Sequence, residues 1–307
     1  MAVTAAAASA LLTACSSTQG TPAADTGAGA TPAVGDTAKW PKAVADSGLA
    51  KGLTLPLQAY MQTYEDSMVI ERAGRMLETR CMSDFGFTVK FPPVGVNPPP
   101  NADDSNLPRR YGISDREKAA QYGYQLPPES EERPPPPELS PAARAVLTGL
   151  KGIGQQAEPA PDTYEGKKIP RGGCQQKAFD QLGARIDFGL PSRLDHESLV
   201  KSQADPRVRE VIDAWSGCME GKGYTLADPF AAIDFSVGKE RGSSTEEGIT
   251  LALTDIDCKK KTHLIKVWHQ VDAEIQEHQV EENQLALRQL KDRNSKAVKA
   301  AEAALRG

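Results

Sequence analysis

The stretch CMEGKGYTL, residues 218–226, has a near copy in CMSDFGFTV at residues 81–89. Both follow the pattern Cys-Met-x-x-x-Gly-aromatic-Thr-aliphatic. Helices often end at a glycine with positive φ, and the residues after it leave the helix in an extended form. The repeat therefore predicts two similar halves, each with a helix that carries the cysteine on its last turn, a tight turn and a short strand.

Helix start signals precede both repeated blocks. In the second half, Asp205 is placed to cap a helix and Pro206 to occupy its first turn. In the first half, Thr54 and Pro56 are placed to open the corresponding helix. The residues that form an apolar stripe along these helices are Val208, Val211, Ile212 and Trp215 in the second half and Leu57, Tyr60, Met61, Tyr64 and Met68 in the first.

The first twenty residues, MAVTAAAASALLTACSSTQG, resemble a lipoprotein signal peptide. Leu12-Thr-Ala-Cys15 is similar to the lipobox, in which small residues precede a cysteine that receives a diacylglyceryl group. Residues 1–14 are therefore expected to be removed and Cys15 to be the lipid-modified N-terminus. No Lys or Arg precedes Leu11, so the true start is expected upstream. The alternative is an Ala-rich tail that contains LTAC by chance.

Low bulky apolar content and many Ala, Gly, Thr and Pro residues predict a disordered tether over residues 15–50. Such a tether suits a lipid anchor, because two or more acyl chains hold a protein firmly on a membrane. The partner expected at this end of the chain is therefore the membrane, reached through the lipid on Cys15.

Four further cysteines, Cys81, Cys174, Cys218 and Cys258, predict two disulfides in an oxidising compartment. Four cysteines allow three pairings. Each repeated block is followed by a cysteine in a Cys-x-x-Lys sequence, which favours Cys81 with Cys174 and Cys218 with Cys258. A zinc site and a redox centre are disfavoured, because no two of these cysteines lie close together in the sequence.

Composition limits the partners of the chain. The 307 residues are 39% hydrophobic, which is enough to bury a core, while 23 prolines and 26 glycines indicate spacer segments. A net charge of -5 gives no broad basic field, so nucleic acid is not expected as a partner. No apolar run is long enough to cross a bilayer as a helix.

The first half, residues 51–190, contains an insertion at 91–140 that proline tracts flank. Such tracts favour extended polyproline II and rarely enter a core. Aromatic and basic side chains between the tracts predict a partner surface, whose residues are Arg109, Arg110, Tyr111, Tyr122 and Tyr124. The alternative is that these side chains attach the insertion to the body of the protein.

The second half, residues 191–307, ends in the strongest helix signal of the chain. Ser244-Thr-Glu-Glu247 resembles a capping box, and neither Pro nor Gly occurs from Ile249 until Gly307. One long helix is therefore predicted over about residues 245–304. Large apolar residues become sparse after Gln276, so the distal part is expected to leave the core and either to form a coiled coil with a partner or to remain solvated.

Catalytic motifs are missing from the sequence. It contains no G-x-S-x-G, H-E-x-x-H or G-x-G-x-x-G pattern, and His278, four residues from Glu274 and Glu282, is explained by an exposed ion pair. We therefore predict no catalytic residue, no metal site, no cofactor and no enzymatic activity. Paired carboxylates that meet only in the fold remain an alternative, since glycoside hydrolysis requires only their proximity in space.

The chain is similar to uncharacterised lipoproteins of high-GC Gram-positive bacteria. The segments that carry the likeness are LTAC at 12–15, RRYG at 109–112, YGY at 122–124, GGC at 172–174, WSGCM at 215–219 and DxxCK at 255–259, together with Trp268. The likeness covers most of residues 55–285 and implies no activity. It implies secretion, lipidation and attachment to the outer face of the cytoplasmic membrane.

These observations predict a mainly α fold with a few short β segments, in which two duplicated helix-turn-strand halves are each stapled by a disulfide and followed by a long C-terminal helix. The expected function is that of a lipid-anchored envelope protein, which presents a helical surface to a cell-wall or protein partner. The alternatives are a cell-wall hydrolase with a carboxylate site formed only in the fold, and a lipoprotein that binds a small ligand in a cleft between the halves.

Overall fold

The computed structural model describes residues 31–128, 134–183, 189–240 and 245–307, and it is mainly helical, as predicted. Cys15 and the expected signal peptide lie outside the described residues. The helices are α1 (Tyr64–Asp84), α2 (Arg116–Tyr122), α3 (Pro141–Thr148), α4 (Gly173–Leu182), α5 (Gly189–Gln203), α6 (Pro206–Glu220), α7 (Pro229–Glu240), α8 (Glu246–Thr262), α9 (Leu264–Glu282) and α10 (Gln284–Arg306). Short 3-10 helices cover Thr37–Lys39, Gly48–Ala50, Pro56–Tyr60 and Gly154–Gln156.

Two small antiparallel hairpins lie between α3 and α4. Their strands are β1 (Leu150–Lys151), β2 (Glu158–Pro159), β3 (Thr163–Tyr164) and β4 (Lys167–Lys168), with β1 paired to β2 and β3 to β4. The strands expected after the repeated blocks do not form, because residues 87–89 and 224–226 pair with no other strand in the described part of the chain. Phe87 and Tyr224 instead pack against apolar clusters.

The two repeated blocks adopt the same local structure. The N–H of Phe87 donates to the carbonyl of Met82, and the N–H of Tyr224 donates to the carbonyl of Met219, at 3.0 Å in each case. This bond, closed over a glycine with positive φ, is the Schellman ending of a helix. The glycines are Gly86 and Gly223, with φ of 81° and 92°. Both methionines are fully buried, so each block turns the chain while it anchors the helix end in a core.

Each block is joined by a disulfide to a second helix of its own half. Cys81–Cys174 links α1 to α4, and Cys218–Cys258 links α6 to α8. These are the two pairings that the repeat favoured. Because α1 also packs on α4, and α6 on α8, each half is built around a cross-linked pair of helices.

The first of these helices begins later than its sequence predicted. Residues Pro56–Tyr60 form a 3-10 helix, and α1 starts only at Tyr64. Its cap is Thr63, whose hydroxyl oxygen accepts the N–H of Asp66 at 3.1 Å. The second helix, α6, starts as predicted after Asp205, whose carboxylate accepts the N–H of Arg207.

The C-terminal helical segment is divided into three helices. It begins after Thr245, whose hydroxyl accepts the N–H of Gly248 at 3.1 Å, while Ser244 of the expected capping box lies outside the described residues. His263 ends α8 with φ of 58°, and Asn283 separates α9 from α10. A single straight helix is excluded because the left-handed backbone of His263 breaks the helix between α8 and α9. A long C-terminal helix is present as α10, but it covers only Gln284–Arg306 and not the whole predicted range of about residues 245–304.

Contrary to expectation, α10 does not leave the core. Leu287 packs with Leu57 and Leu194, and a row of alanines in the distal part of α10 packs on α1. The residues of this second contact are Ala297 and Ala301 on α10 and Ile70 and Ala73 on α1. Alanines allow two helices to approach closely, so a stripe that lacks large apolar residues still buries surface. The C-terminal helix therefore belongs to the first half in space.

The proline-flanked insertion belongs to the first half in sequence but packs in the core of the second half. Leu107, Tyr111, Ile113 and Tyr124 are buried in one cluster with residues of the second half, which include Trp268. The ring centroids of Tyr111 and Trp268 are 5.2 Å apart. The two halves thus exchange elements, since the insertion completes the core of the second half and α10 covers the first.

Residues 31–50, expected to be part of a disordered tether, lie against the body of the protein. Val34 forms a β-bridge with Val94, the indole N–H of Trp40 donates to the carbonyl of Gly95 at 3.0 Å, and Ala50 is fully buried. The Ala- and Gly-rich composition of this segment does not predict its order, because backbone hydrogen bonds attach it to the body of the protein. The tether prediction is therefore wrong for residues 31–50.

The packing of α10 on the first half can be tested with two leucines of the same helix. Leu287→Ala removes a fully buried side chain, so we expect it to lower the free energy of unfolding by about 2–5 kcal/mol. Leu285→Ala changes a side chain that is 72% exposed, so a change below about 0.5 kcal/mol is expected. Urea unfolding followed by circular dichroism measures both, and equal losses would contradict the docked position of α10.

Candidate ligand-binding cleft

The structure corrects the predicted partner surface. Arg110, Tyr111 and Tyr124 are only 5%, 1% and 3% exposed, so they are part of the core. Arg109 and Tyr122 are half-buried. The alternative interpretation, in which these side chains attach the insertion to the body, fits what is observed. Sequence alone cannot distinguish the two, because an aromatic residue beside an arginine is compatible with both environments.

Arg110 lies between two buried carboxylates of the second half. Its Nε donates to Asp272 Oδ2 at 2.6 Å and its Nη1 to Asp195 Oδ2 at 2.7 Å. Its Nη2 donates to the hydroxyl of Ser198 at 3.1 Å, and the hydroxyl of Tyr111 donates to Asp272 at 2.9 Å. The guanidinium therefore joins the insertion to α5 and α9.

The two neighbouring carboxylates keep the Arg110 guanidinium protonated despite its burial. Burial alone would lower the pKa of Arg110, but the hydrogen bond to Asp272 and the charges of Asp272 and Asp195 raise it. Gln276 completes the group, since its Nε2 donates to Asp195 Oδ1 and its Oε1 accepts the N–H of Leu57. A satisfied network of this kind holds elements in one arrangement, which is a structural role.

A second buried ion pair lies beside it in the same core. Lys259 and Asp255 are 2.9 Å apart, and both side chains are fully buried. Asp255 also accepts the hydroxyl of Tyr124 at 3.0 Å and the indole N–H of Trp215 at 2.9 Å. Burial raises the pKa of Asp255 and lowers that of Lys259, while their mutual attraction opposes both shifts. Because neither group reaches solvent, this pair has no access to a substrate.

The accessible candidate site is a cleft of about 1170 Å³ between the N-terminal segment, α1 and the insertion. One wall carries Trp40 and Tyr64, whose rings meet edge to face with centroids 5.3 Å apart. The proline residues that line the cleft include Pro92, Pro93, Pro98, Pro99 and Pro100. Aromatic and pyrrolidine rings are rigid apolar surfaces, so this wall can bind an apolar group at little cost in conformational entropy.

Most charged side chains of the cleft are paired with each other. The three pairs are Lys42–Asp46 at 3.0 Å, Lys118–Asp115 at 3.6 Å, and Arg75–Glu71. Each of these carboxylates faces a cation. Hydrolysis by two carboxyl groups needs an acid of raised pKa beside a free carboxylate, and these paired groups do not supply that arrangement.

Asp103 and Arg109 line the same cleft and have neutral hydrogen-bond partners. The amide of Gln58 donates to Asp103 Oδ2 at 2.9 Å, and Arg109 Nη2 donates to the carbonyl of Tyr124. Burial raises the pKa of Asp103, although the hydrogen bonds from Gln58 and from the N–H of Ser105 act against it. Burial lowers the pKa of Arg109. Each group would therefore gain from an opposite charge on a ligand.

The backbone places these two side chains on consecutive turns of one loop. The N–H of Asn106 donates to the carbonyl of Asp103 at 3.3 Å, and the N–H of Arg109 donates to the carbonyl of Asn106 at 2.8 Å. Arg110, the next residue, is fastened in the core. Arg109 is thus held at the cleft by its neighbour, and one loop supplies both a carboxylate and a guanidinium to the lining of the cleft.

Other kinds of site find no support in the described ranges. No group of three or more His, Cys, Asp or Glu side chains there could hold a metal ion. No helix there is both long and apolar enough to cross a membrane. Comparisons with protein-family models, curated proteins and solved structures give no match.

Sequence reasoning identified Arg109 but missed the rest of the cleft. Trp40 was assigned to the tether, and Asp103 gave no signal of its own. The sequence contains one signal that residues near position 40 are not a linker, namely Trp40 in a segment that is otherwise typical of a disordered linker.

The structural role of Arg110 can be tested against an exposed arginine. Arg110→Met leaves Asp195 and Asp272 buried without a cation, so a loss of about 3–5 kcal/mol in unfolding free energy is expected. Arg116→Met breaks an exposed pair with Asp257 and is expected to cost about 0–1 kcal/mol. Chemical unfolding of both variants with intact disulfides measures the difference. Similar losses would mean that the buried network does not hold the insertion.

Proposed function

We propose that the protein is a lipid-anchored extracytoplasmic binding protein, which takes a zwitterionic ligand with an apolar body, such as a short peptide, into the cleft beside Trp40. The observation that carries this proposal is the placement of Asp103 and Arg109. Both are half-buried at an accessible apolar cleft, and both lack an opposite charge among their hydrogen-bond partners.

The location is supported by the cysteines. The two disulfides are consistent with an extracytoplasmic compartment, since cytosolic proteins keep most thiols reduced. The similarity of Leu12–Cys15 to a lipobox and the likeness to lipoproteins of high-GC Gram-positive bacteria support a lipid at Cys15 on the outer face of the cytoplasmic membrane. A ligand derived from the cell wall or from a secreted protein would meet the cleft there.

Binding is supported over the other functions by the shape and chemistry of the cleft. Ligand sites in proteins are concave and mostly apolar, with a few polar groups that orient the ligand, and they range from about 300 to 1,000 Å³. The cleft is concave and mostly apolar, and its volume of about 1170 Å³ is slightly above this range. A scaffold that offers a free C-terminal helix is less well supported, because one side of α10 is used within the molecule.

Peptide binding can be measured through Trp40, because Trp215 and Trp268 are fully buried. A panel of di- to tetrapeptides with apolar side chains is titrated twice, once with free termini and once acetylated and amidated. We expect tryptophan emission to change with the free peptides, and Kd to rise about tenfold or more on blocking both termini, because each terminal charge loses its partner. Trp40→Phe should remove the optical signal while calorimetry still detects binding.

Two variants assign the two ends of the ligand. Asp103→Asn should raise Kd for the free peptides about tenfold but leave Kd for N-acetylated peptides unchanged. Arg109→Gln should raise Kd for the free peptides by a similar factor but leave Kd for C-amidated peptides unchanged. Asp257→Asn, at an exposed carboxylate outside the cleft, is the matched control and should change nothing. If no peptide binds with a Kd below about 1 mM, or if blocked and free peptides bind equally, the zwitterionic ligand is refuted.

Lipidation is tested separately on protein from its natural host. The N-terminal peptide should begin at Cys15 and carry a diacylglyceryl group in mass spectra, and the protein should stay on membranes that are washed with 0.5 M NaCl, which removes electrostatic binding. Cys15→Ser should abolish both, whereas the neighbouring Ser16→Ala should abolish neither. An unmodified Cys15, or a Cys15→Ser protein that still stays on membranes after the 0.5 M NaCl wash, would contradict the proposed anchor.

A further inference from the structure

We propose that the outward face of α10 rests on an anionic phospholipid surface. This contact is electrostatic and would act beside the lipid on Cys15. It goes beyond ligand binding in the cleft, because it uses a different surface of the molecule and assigns to the C-terminal helix a role in orientation.

The first observation is the charge of α10. Residues 284–307 contain six cations and two carboxylates, although the chain as a whole carries a net charge of -5. The cations are Arg288, Lys291, Arg293, Lys296, Lys299 and Arg306, and the carboxylates are Asp292 and Glu302. The remaining residues therefore contain 30 cations and 39 carboxylates, a net charge of -9, whereas α10 carries +4.

The second observation is the direction in which these cations point. The buried residues of α10 are Leu287, Leu290, Ala297 and Ala301. With 3.6 residues per turn, Arg288, Lys296 and Lys299 lie within about 80° of one another on the opposite side of the helix. These three residues are called the basic face. All three are exposed, and within the described part of the chain no ion pair involves them.

Several other charged groups on α10 either contact a partner or reduce the positive charge of the basic face only partly. Arg306 pairs with Glu302 at 3.9 Å, and Lys291 Nζ lies 5.6 Å from the centroid of the Tyr60 ring. Asp292 lies among the basic residues and reduces the charge of the basic face by one. The face remains cationic after this reduction.

The third observation is where the chain runs toward Cys15. The first described residues lie on α1, since Arg72 donates to the carbonyl of Pro32 at 2.9 Å and the hydroxyl of Thr31 contacts Met76. This is the part of α1 on which Ala297 packs. Residues 16–30 can span at most about 50 Å, at about 3.5 Å per residue. A lipid on Cys15 therefore keeps the basic face within reach of the membrane.

A phospholipid surface fits this face better than a small anion does. The three cations are spread along about three turns of a helix, and none of them lines the large cleft, so they do not converge on one small anion there. A membrane offers many negative charges in a plane, and each basic side chain near such a surface strengthens binding roughly fivefold. The acidic remainder of the chain would be repelled, so the contact also orients the molecule.

Vesicle binding tests the inference on full-length Cys15→Ser protein, so that no lipid anchor contributes. Sedimentation of the protein is measured with two kinds of vesicle, one of pure phosphatidylcholine and one that also contains 30% phosphatidylglycerol. Each kind is used at low salt and at 0.5 M NaCl. We expect binding to the anionic vesicles alone, and loss of this binding at high salt through screening. Replacing the basic face by Arg288→Gln, Lys296→Gln and Lys299→Gln should weaken it about 100-fold, because three cations are lost.

The matched control removes three exposed cations elsewhere, by Arg193→Gln, Lys201→Gln and Lys222→Gln. It should weaken vesicle binding about fivefold at most, and both triple variants should retain the circular dichroism of the parent. Equal losses in the two variants, or no preference for anionic vesicles, would overturn the proposal. Binding to soluble polyphosphate but not to vesicles would also overturn it, in favour of a soluble polyanion. Peptide binding in the cleft should not change in either variant.

Discussion

The arrangement of the molecule depends on one buried cation. Arg110 comes from the insertion, and the carboxylates that surround it, Asp195 and Asp272, come from α5 and α9. None of these three charges can be buried alone without a cost of several kcal/mol, so the elements that carry them must assemble together. The insertion is thereby fastened to the second half. Its neighbouring residue, Arg109, is in turn placed at the cleft, which connects the core to the candidate site through one peptide bond.

The same constraint explains why the two halves are not independent units. Each contains a helix pair cross-linked by a disulfide, as a duplication would produce. Yet the aromatic residues of the insertion are buried in one core with Trp215 and Trp268, and α10 packs on the apolar side of α1. Loss of either element would expose apolar surface in the other half. The disulfides stabilise the frame within each half, while the exchanged elements hold the halves to each other.

The candidate cleft and the basic face of α10 are related through the N-terminal segment. Trp40 forms a wall of the cleft, and the residues before it run along α1, which packs beside α10. A protein held at Cys15 and by α10 would keep the cleft close to the membrane surface. Its ligands would then be drawn from what lies next to the membrane, and the cleft would hold a constant orientation toward it.

The sequence by itself determined the features that depend on neighbouring residues and on the repeat. These are the helical class, the Schellman endings at Gly86 and Gly223, and the pairing of four cysteines, all of which follow from local backbone preferences and from a pattern written twice. Only the tertiary structure decided that Arg110 is buried, that Trp40 is not part of a tether, and that the alanines of α10 face α1. Each of these depends on a partner far away in the chain, such as Asp272 for Arg110, and a single sequence does not reveal which distant groups will meet.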